Sequence, residues 1–353
     1  MPSDDPRTIR GRGAAANPTN RFERLAYEPD PEAFEPDASG PATQLFRDTS
    51  RSIIVYNDSP DVGFTASINP YRGCSHGCVY CYARPTHEYL GFSAGLDFET
   101  KIVVKEDAPQ LLRKELMSPQ WQPQSLALSG VTDCYQPVER QLQLTRRCLE
   151  VLAEFRNPVG IVTKNSLVTR DLDLLANLAR DDAAMVYLSI STLDADLAGR
   201  LEPRAVRPAA RLEALRTLHA AGIPVGVLTA PVIPGLNDHE LPAILAAAAE
   251  AGAVSAGYVT LRLPHGLAAL FEDWLERHLP QRKDKILGRI RELRGGKLND
   301  PQFNSRMRGQ GPLADAIRDI FELGCKKAGI ANRGRSLSTA AFRRPGQQRW
   351  LFD

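Results

Sequence analysis

Three cysteines in one short stretch are the residues of this chain best suited to chemistry. Cys74, Cys78 and Cys81 follow a C-x3-C-x2-C spacing, and Gly73 and Gly77 stand among them. Thiolates are preferred ligands of iron-sulfur clusters and of zinc, and glycine lets a loop wrap closely around a compact metal centre. Because six cysteines placed at random would be scattered over the 353 residues, this grouping predicts a metal-binding loop.

The number of clustered cysteines distinguishes between kinds of metal centre. Three protein thiolates on a four-iron cluster leave one iron open to an external ligand, which predicts catalysis. A structural zinc site needs a fourth ligand, such as His76 or His87, and a plain electron-transfer iron-sulfur protein is expected to have four protein ligands. The other cysteines, Cys134, Cys148 and Cys325, share no metal-type spacing. We favour the open cluster, and a non-catalytic zinc-binding module or an electron-transfer protein remain the alternatives.

Short apolar runs alternate with longer amphipathic stretches in the middle of the chain, which is the pattern of repeated strand-helix units. Each run is short enough for a buried parallel strand. The predicted strands cover residues 64–68, 125–129, 159–163, 185–190, 223–228 and 258–263, and apolar stripes predict helices over 136–155 and 209–219. Six such units cannot fill an eight-stranded barrel. The sequence therefore predicts an α/β fold, a partial (β/α)6 barrel of the TIM type with its helices outside and one side open.

The two ends of the chain differ from this middle part. Residues 1–51 are rich in charged residues and proline without an apolar period, which predicts a flexible N-terminal arm. Residues 52–265 form the predicted barrel. Residues 266–353 are predicted to be a helical C-terminal extension that ends in a basic tail, with helices over 267–278, 283–293 and 313–328. The arm and the apolar residues 350–352 are candidates to cover the open side.

Composition limits the classes of protein to consider. The chain is 43% hydrophobic and 24% charged, which are ordinary values for a globular protein with a large core. No apolar run approaches the roughly 18 residues of a membrane span, so an integral membrane protein is excluded. The N-terminal residues lack the apolar core of a secretory signal, so we expect a cytoplasmic protein whose thiols stay reduced. The net charge of +2 neither requires nor excludes a nucleic-acid partner.

The cysteine loop resembles the cluster-binding motif of the radical SAM superfamily. Cys74, Cys78 and Cys81 match it position for position, and the aromatic residue Tyr80 precedes the third cysteine, after a first predicted barrel strand. The resemblance implies that the three cysteines hold a [4Fe-4S] cluster. It also implies that the amino and carboxylate groups of S-adenosyl-L-methionine chelate the remaining iron.

The resemblance extends over roughly residues 60–265 and is closest to the branch that includes spore photoproduct lyase and many bacterial relatives. The matching segments are Tyr82-Ala83-Arg84, Thr132-Asp133, Tyr135-Gln136-Pro137, Glu139, Thr145-Arg146, Leu201-Glu202-Pro203, residues 230–238 and Leu261-Arg262-Leu263-Pro264. Two features depart from the pattern. The Gly-Gly-Glu signature of many superfamily members is replaced by residues 129–133, and Cys134 lies beyond the position of the lyase's hydrogen-donor cysteine.

Polar residues follow several predicted strands, and the carboxyl ends of barrel strands are where active sites form. By the resemblance and by the needs of the cofactor, Lys164 suits its carboxylate as a point charge. The other cofactor contacts assigned in this way are Thr132 and Asp133 for the amine or the ribose, Ser189 and Ser191 for the ribose, Tyr80 for the adenine, and Glu202 and Arg204 for polar contacts at the mouth. Arg262, at the end of the sixth predicted strand, is a further cofactor-binding candidate. Simpler alternatives are a helix cap at Asp133 or Ser191 and a solvated turn residue at Lys164.

The resemblance implies a radical SAM enzyme. An external donor of the flavodoxin or ferredoxin type reduces the cluster, an electron enters the sulfonium, and its carbon-sulfur bond breaks to give methionine and a 5′-deoxyadenosyl radical. This radical abstracts hydrogen from a substrate that the sequence does not identify, and analogy with the lyase branch makes a nucleic acid one candidate. Cys134 is a candidate hydrogen-atom relay, with a buried structural thiol as the alternative.

Overall fold

The computed structural model describes residues 9–22 and 41–346. Within them, one large sheet has the strand order β10-β9-β8-β7-β6-β3-β2, and a small sheet has the order β1-β5-β4. The strands are β1 (Gln44–Arg47), β2 (Ile54–Tyr56), β3 (Ala66–Ile68), β4 (Tyr71–Arg72), β5 (Lys101–Val104), β6 (Leu126–Leu128), β7 (Val159–Thr163), β8 (Ala184–Ser189), β9 (Val225–Val232) and β10 (Ser255–Thr260).

The large sheet confirms the predicted fold class. Its six consecutive strands β3, β6, β7, β8, β9 and β10 pair in parallel, and β2 adds antiparallel to β3 at one edge. Every strand run predicted from the sequence overlaps one of the six parallel strands. Because β2 and β10 are edges rather than neighbours, the sheet is an open, partial barrel.

Helices alternate with the strands, and several of them pack against the large sheet. In chain order they are α1 (Leu96–Thr100), α2 (Ala108–Met117), α3 (Glu139–Leu142), α4 (Leu144–Phe155), α5 (Leu172–Ala179), α6 (Ala195–Leu201), α7 (Pro208–Ala220), α8 (Leu241–Glu250), α9 (Leu267–His278), α10 (Lys283–Leu293) and α11 (Pro312–Ala328). The predicted helix 136–155 is divided at Gln143, which has a φ of 51°. Leu149, Leu152 and Phe155 of α4 are fully buried in the main core, as the apolar stripe predicts.

The described residues of the predicted N-terminal arm make contacts with the rest of the chain. Gln44–Arg47 forms β1, which pairs in parallel with β5 of the small sheet. Residues 9–22 pack against the cysteine loop, as shown below. Residues 1–8 and 23–40 of the predicted arm lie outside the described residues, so the boundary at residue 51 stays a prediction.

The C-terminal part connects the two edges of the large sheet. The backbone N–H of Thr260, at the end of β10, donates to Met307 O at 2.9 Å. Near the start of β3, Asp61 forms an ion pair with Arg306 and accepts from Asn304 N at 2.6 Å. The segment 302–309 thus crosses the open side of the barrel. Residues 347–353, which include the apolar end of the predicted basic tail, lie outside the described residues.

The predicted C-terminal helices are present as α9, α10 and α11, and the separation of this extension from the barrel as a unit stays a prediction. None of the helices in the described ranges combines the length and the apolar character needed to cross a bilayer.

Candidate functional site

The cysteine loop follows β4 and has a backbone that only glycine permits at two positions. Gly73 and Gly77 have φ values of 77° and 70°, in the left-handed region that favours glycine. A Cβ atom at Gly77 would lie 2.7 Å from the carboxylate of Glu99. Backbone hydrogen bonds fix the loop further, since Cys74 N donates to Phe98 O at 2.9 Å. The loop is therefore preformed.

The three thiols of this loop lie close enough to influence one another. Cys74 and Cys78 are buried and Cys81 is partly buried. Burial raises the pKa of Cys81 to about 11 and, with the Glu202 charge, raises the pKa of Cys78 well above its ordinary value. Thiols in such surroundings stay protonated unless a metal centre binds them as thiolates.

The donor set of this loop fits an iron-sulfur cluster. Cys74, Cys78 and Cys81 are near enough to raise one another's pKa. Three thiolates on one loop are the ligands that a [4Fe-4S] group with one open iron requires, so the residues present fit that group.

A buried ion pair supports the loop from beneath. The Arg84 guanidinium pairs with the Glu99 carboxylate, and neither side chain is exposed. Arg84 also donates to Cys78 O at 3.0 Å. The Glu99 carboxylate accepts in addition from the backbone N–H groups of Gly13 and Ala14, at 3.1 and 2.9 Å. One carboxylate thus joins the cysteine loop to the N-terminal segment.

Residues 9–22, here called the N-terminal strap, lie directly against the cysteine loop. A Cβ atom on Gly13 would lie only 2.0 Å from Gly77 O, and one on Gly95 only 2.1 Å from Ala16 O. Such distances leave no room for any side chain. The strap therefore covers the loop at backbone contact distance.

A polar cluster occupies the carboxyl ends of β7 and β8, beside Cys78. The Lys164 ammonium donates to Ser189 Oγ at 2.5 Å and lies 3.7 Å from the Glu202 carboxylate. Ser191 Oγ donates to Glu202 at 2.6 Å, and the Tyr80 hydroxyl also donates to this carboxylate. The structure therefore brings together five residues selected from the sequence: Tyr80, Lys164, Ser189, Ser191 and Glu202.

Arg211 of α7 completes this cluster, and sequence reasoning missed it. Its buried guanidinium pairs with Glu202 and donates to Ser189 O at 2.8 Å. Burial alone would raise the pKa of Glu202, but the Arg211 and Lys164 charges lower it to about 2, so the carboxylate is ionised. The sequence did contain a signal that could have identified Arg211. This arginine stands three residues before Ala214 and four before Leu215, so it lies on the apolar face of α7.

Asp133 and Thr132 support the site from the loop after β6. Asp133 accepts from Thr163 Oγ1 at 2.7 Å and from Lys164 N at 2.8 Å, and it pairs with His76 Nδ1 at 3.3 Å. Thr132 Oγ1 instead donates to Tyr71 O at 2.8 Å. Asp133 therefore fixes the backbone that carries Lys164, whereas Thr132 stabilises the strand before the cysteine loop.

Gln136 also supports the cysteine loop. It belongs to a matching motif in the sequence, but no role was predicted for it. Its side-chain oxygen accepts from Ser75 N at 2.9 Å, and its amide donates to Gly73 O at 3.1 Å. Both partners belong to the cysteine loop. Buried amides that satisfy loop backbone groups in this way fix the loop's conformation.

Three predicted residues lie apart from the polar cluster. The Arg204 side chain donates to Thr43 Oγ1 at 3.3 Å on the surface. The Arg262 guanidinium lies 5.7 Å from the centre of the Tyr82 ring. Cys134 is fully buried in the main core, where burial raises the pKa of its thiol. This environment is typical of the structural thiol that was the alternative for Cys134.

The comparison with protein families decides the kind of protein. A family model for the radical SAM superfamily matches residues 68–248, which is just over half of the 353-residue chain. The chain belongs to the radical SAM superfamily. Enzymes of the radical SAM superfamily use a [4Fe-4S] cluster and S-adenosylmethionine, and this protein is an enzyme of that kind.

Relatives of this radical SAM protein occur in bacteria and archaea. An uncharacterized protein of Mycobacterium tuberculosis is 38% identical over 248 residues, which cover 69% of this chain and 72% of the relative. An uncharacterized protein of Methanocaldococcus jannaschii is 32% identical over 173 residues, which cover 49% of this chain and 62% of the relative.

Solved structures of spore photoproduct lyase share the fold of this radical SAM protein. One mutant matches with a TM-score of 0.59 and 16% identity, covering 82% of this chain and 80% of the lyase. Another, with bound AdoMet and dinucleoside spore photoproduct, also gives a TM-score of 0.59 and 16% identity and covers 80% of this chain and 78% of the lyase. At this identity the likeness concerns the fold alone.

Proposed function

We propose that Cys74, Cys78 and Cys81 hold the cluster and that the polar cluster beside them holds S-adenosylmethionine. When bound, these groups supply a 5′-deoxyadenosyl radical, which takes a hydrogen atom from the substrate. The observation that carries the proposal is the position of Lys164 and Glu202 next to Cys78. Beside an iron with an open position, the Lys164 cation would match the carboxylate of the cofactor's methionine part, and the Glu202 anion would match its amine.

The residues of the polar cluster have distinct proposed roles. Lys164 pairs with the cofactor's carboxylate, and the ionised Glu202 accepts from its amine or a ribose hydroxyl. Ser189 and Ser191 supply further hydroxyls for the ribose, and the Tyr80 ring provides a wall for the adenine. Arg211 keeps Glu202 ionised while Lys164 engages the cofactor.

Exclusion of water is the second task of the surrounding chain. A radical attacks any molecule that it meets, so the reacting atoms must be shielded. The N-terminal strap covers the cysteine loop, and the segment 302–309 crosses the open side of the barrel. We propose that these two segments enclose the reaction.

For the substrate, we propose a nucleic acid as the first class to test, with an electron donor of the flavodoxin or ferredoxin type. The support for nucleic acid is the fold shared with a lyase whose structure holds a dinucleoside spore photoproduct. The hypothesis rests on this fold likeness, because the net charge of +2 does not favour a polyanion.

The deciding experiment measures 5′-deoxyadenosine by chromatography after anaerobic reconstitution with iron and sulfide and addition of S-adenosylmethionine and a strong reductant. We expect the wild-type protein to form the nucleoside and the Cys78→Ala protein to form none. Cys148→Ala is the matched control, because Cys148 is buried in the main core on α4, away from the loop. A wild-type protein with full iron and sulfide content that forms no nucleoside would refute the proposal.

A further inference from the structure

Arg262 lies at the active end of the barrel and forms no ion pair with any acidic residue in the ranges 9–22 and 41–346. It follows β10, whose carboxyl end faces the same way as those of β7 and β8. Among the described residues, its only hydrogen bond is a weak one to Met307 Sδ at 3.7 Å, and its Nε is buried without any partner. A guanidinium has five N–H donors, so most donors of Arg262 have no protein acceptor in the described part of the chain.

Two neighbouring arginines use their terminal nitrogens in strong contacts, although Arg294 Nε, like Arg262 Nε, is buried without a partner. Arg294 donates to Ser305 O, Thr260 Oγ1 and Leu261 O, at 3.1, 2.8 and 2.7 Å. Arg306 pairs with Asp61. The side chains of Arg294 and Arg306 therefore stabilise the segment 302–309.

The surroundings of Arg262 make an unpaired charge costly. Burial and the nearby Arg306 charge lower the pKa of Arg262, although a guanidinium remains protonated in proteins. The charge of the Asp61 carboxylate acts on Arg262 in the opposite direction and raises its pKa, but Asp61 is already paired with Arg306. A partly buried cation is retained against this cost where a ligand supplies the missing anion.

Tyr82 places Arg262 at the mouth of the site. Tyr82 directly follows Cys81, and its half-exposed ring lies 5.7 Å from the Arg262 guanidinium. The Tyr82 hydroxyl donates to Gly130 O, after β6, at 3.0 Å. Tyr82 therefore spans the opening from the β6 side to the β10 side, next to the cysteine loop.

Arg262 shares no hydrogen bond with the polar cluster in the part of the chain that the structure describes. Resting on the proposed function, we propose that Arg262 and the Tyr82 ring bind an oxyanion of the substrate, a phosphate or a carboxylate, rather than the cofactor. The guanidinium fork suits two oxygens of either group, and the exposed ring offers a face to the adjoining part of the substrate. Arg262 is thus a substrate-anchoring residue.

The first test is protection of Arg262 from phenylglyoxal in the reconstituted protein, read by mass spectrometry of the Arg262 peptide at constant ionic strength. Inorganic phosphate and acetate are the two probes, and S-adenosylmethionine is added in a separate comparison. We expect one of them to slow modification at Arg262 at least fivefold while modification of the surface residue Arg289 is unchanged. Protection by phosphate alone assigns a phosphate ligand, and protection by acetate alone a carboxylate. Protection by neither, or by S-adenosylmethionine alone, overturns the proposal.

A second test follows the unfolding temperature. An anion that binds only the folded state raises this temperature, and the rise grows with the anion's concentration relative to its dissociation constant. The probe that protects Arg262 should raise the unfolding temperature of the wild-type and Arg289→Gln proteins and leave that of Arg262→Gln unchanged. An equal rise in all three proteins overturns the proposal. Formation of 5′-deoxyadenosine is measured separately, so loss of the anion site and loss of the radical reaction are distinguishable.

Discussion

The Arg84 guanidinium and the Glu99 carboxylate form an ion pair from which solvent is excluded, directly beneath the cysteine loop. Glu99→Gln removes the negative charge and leaves a buried cation, which costs about 3–5 kcal/mol of unfolding free energy for such pairs. It also weakens the acceptor for Gly13 N and Ala14 N. We expect lower stability in anaerobic urea unfolding and faster bleaching of the cluster absorbance in air.

A surface pair provides the control for Glu99→Gln. Arg113 and Glu154 also form an ion pair, but both side chains are more than one third exposed. Glu154→Gln should therefore change the free energy of unfolding by less than about 1 kcal/mol and leave the bleaching rate unchanged. Equal effects of the two substitutions would show that the buried pair has no special role.

One methyl group added at Gly13 should displace the N-terminal strap. Gly13→Ala places a Cβ atom 2.0 Å from Gly77 O, and this backbone cannot yield as a side chain can, so the strap must move. Arg12 is buried in the strap, so trypsin should cleave after it slowly in the wild type and several times faster in Gly13→Ala. Gly63→Ala is the control, because its Cβ would meet no atom within 4 Å. An unchanged cleavage rate at Arg12 in Gly13→Ala would mean that the strap does not rest on the loop.

Lys164→Ala should weaken cofactor binding without loss of the cluster. A charge-assisted hydrogen bond contributes about 1.5–3 kcal/mol, so the dissociation constant of S-adenosylmethionine should rise roughly ten- to hundredfold. Glu202 keeps its partner Arg211, so the fold should persist. Equilibrium dialysis gives the affinity, and iron and sulfide analysis gives the cluster content. Lys283→Ala, on the surface of α10, is the control, and an affinity loss equal to that of Lys283→Ala would remove Lys164 from the site.

Cys134→Ala tests the relay hypothesis against the structural one. Because Cys134 lies in the main core, we expect a loss of about 1 kcal/mol in unfolding free energy and unchanged turnover of an identified substrate. The measurement compares substrate turnover with 5′-deoxyadenosine formation. A fall in turnover while the nucleoside still forms would instead establish Cys134 as the relay.

The parallel strands could be predicted because each is a short apolar run between helical stretches. The run 159–163 coincides with β7, whereas β9 begins two residues later than predicted and ends four residues later. β1, β2, β4 and β5 were missed, and for β1 and β4 the reason is physical. The exposed pattern of β1 and the two-residue length of β4 leave no apolar periodicity, and only pairing in the small sheet makes them strands.

The polar cluster could be predicted because parallel strands end at one edge, which brings Lys164, Ser189 and Ser191 together from distant positions. Arg211 and Glu99 could not be assigned in this way. Each acts through a partner that only the folded chain brings near, Glu202 for Arg211 and Arg84 for Glu99. Arg262 does follow the last parallel strand, but the sequence could not show that its Nε is buried without a partner among the described residues.

The C-terminal part also determines whether the edge of the large sheet is free to pair with another chain. β10 is an edge strand, and free edge amides are templates for pairing with another chain. Here Ala256 N donates to Ala331 O at 2.8 Å and Thr260 N to Met307 O at 2.9 Å, both outside the large sheet. At the other edge, Val55 and Tyr56 of the short strand β2 are exposed. A protein truncated before residue 302 would uncover the amides of β10, so we expect it to aggregate through intermolecular strand pairing.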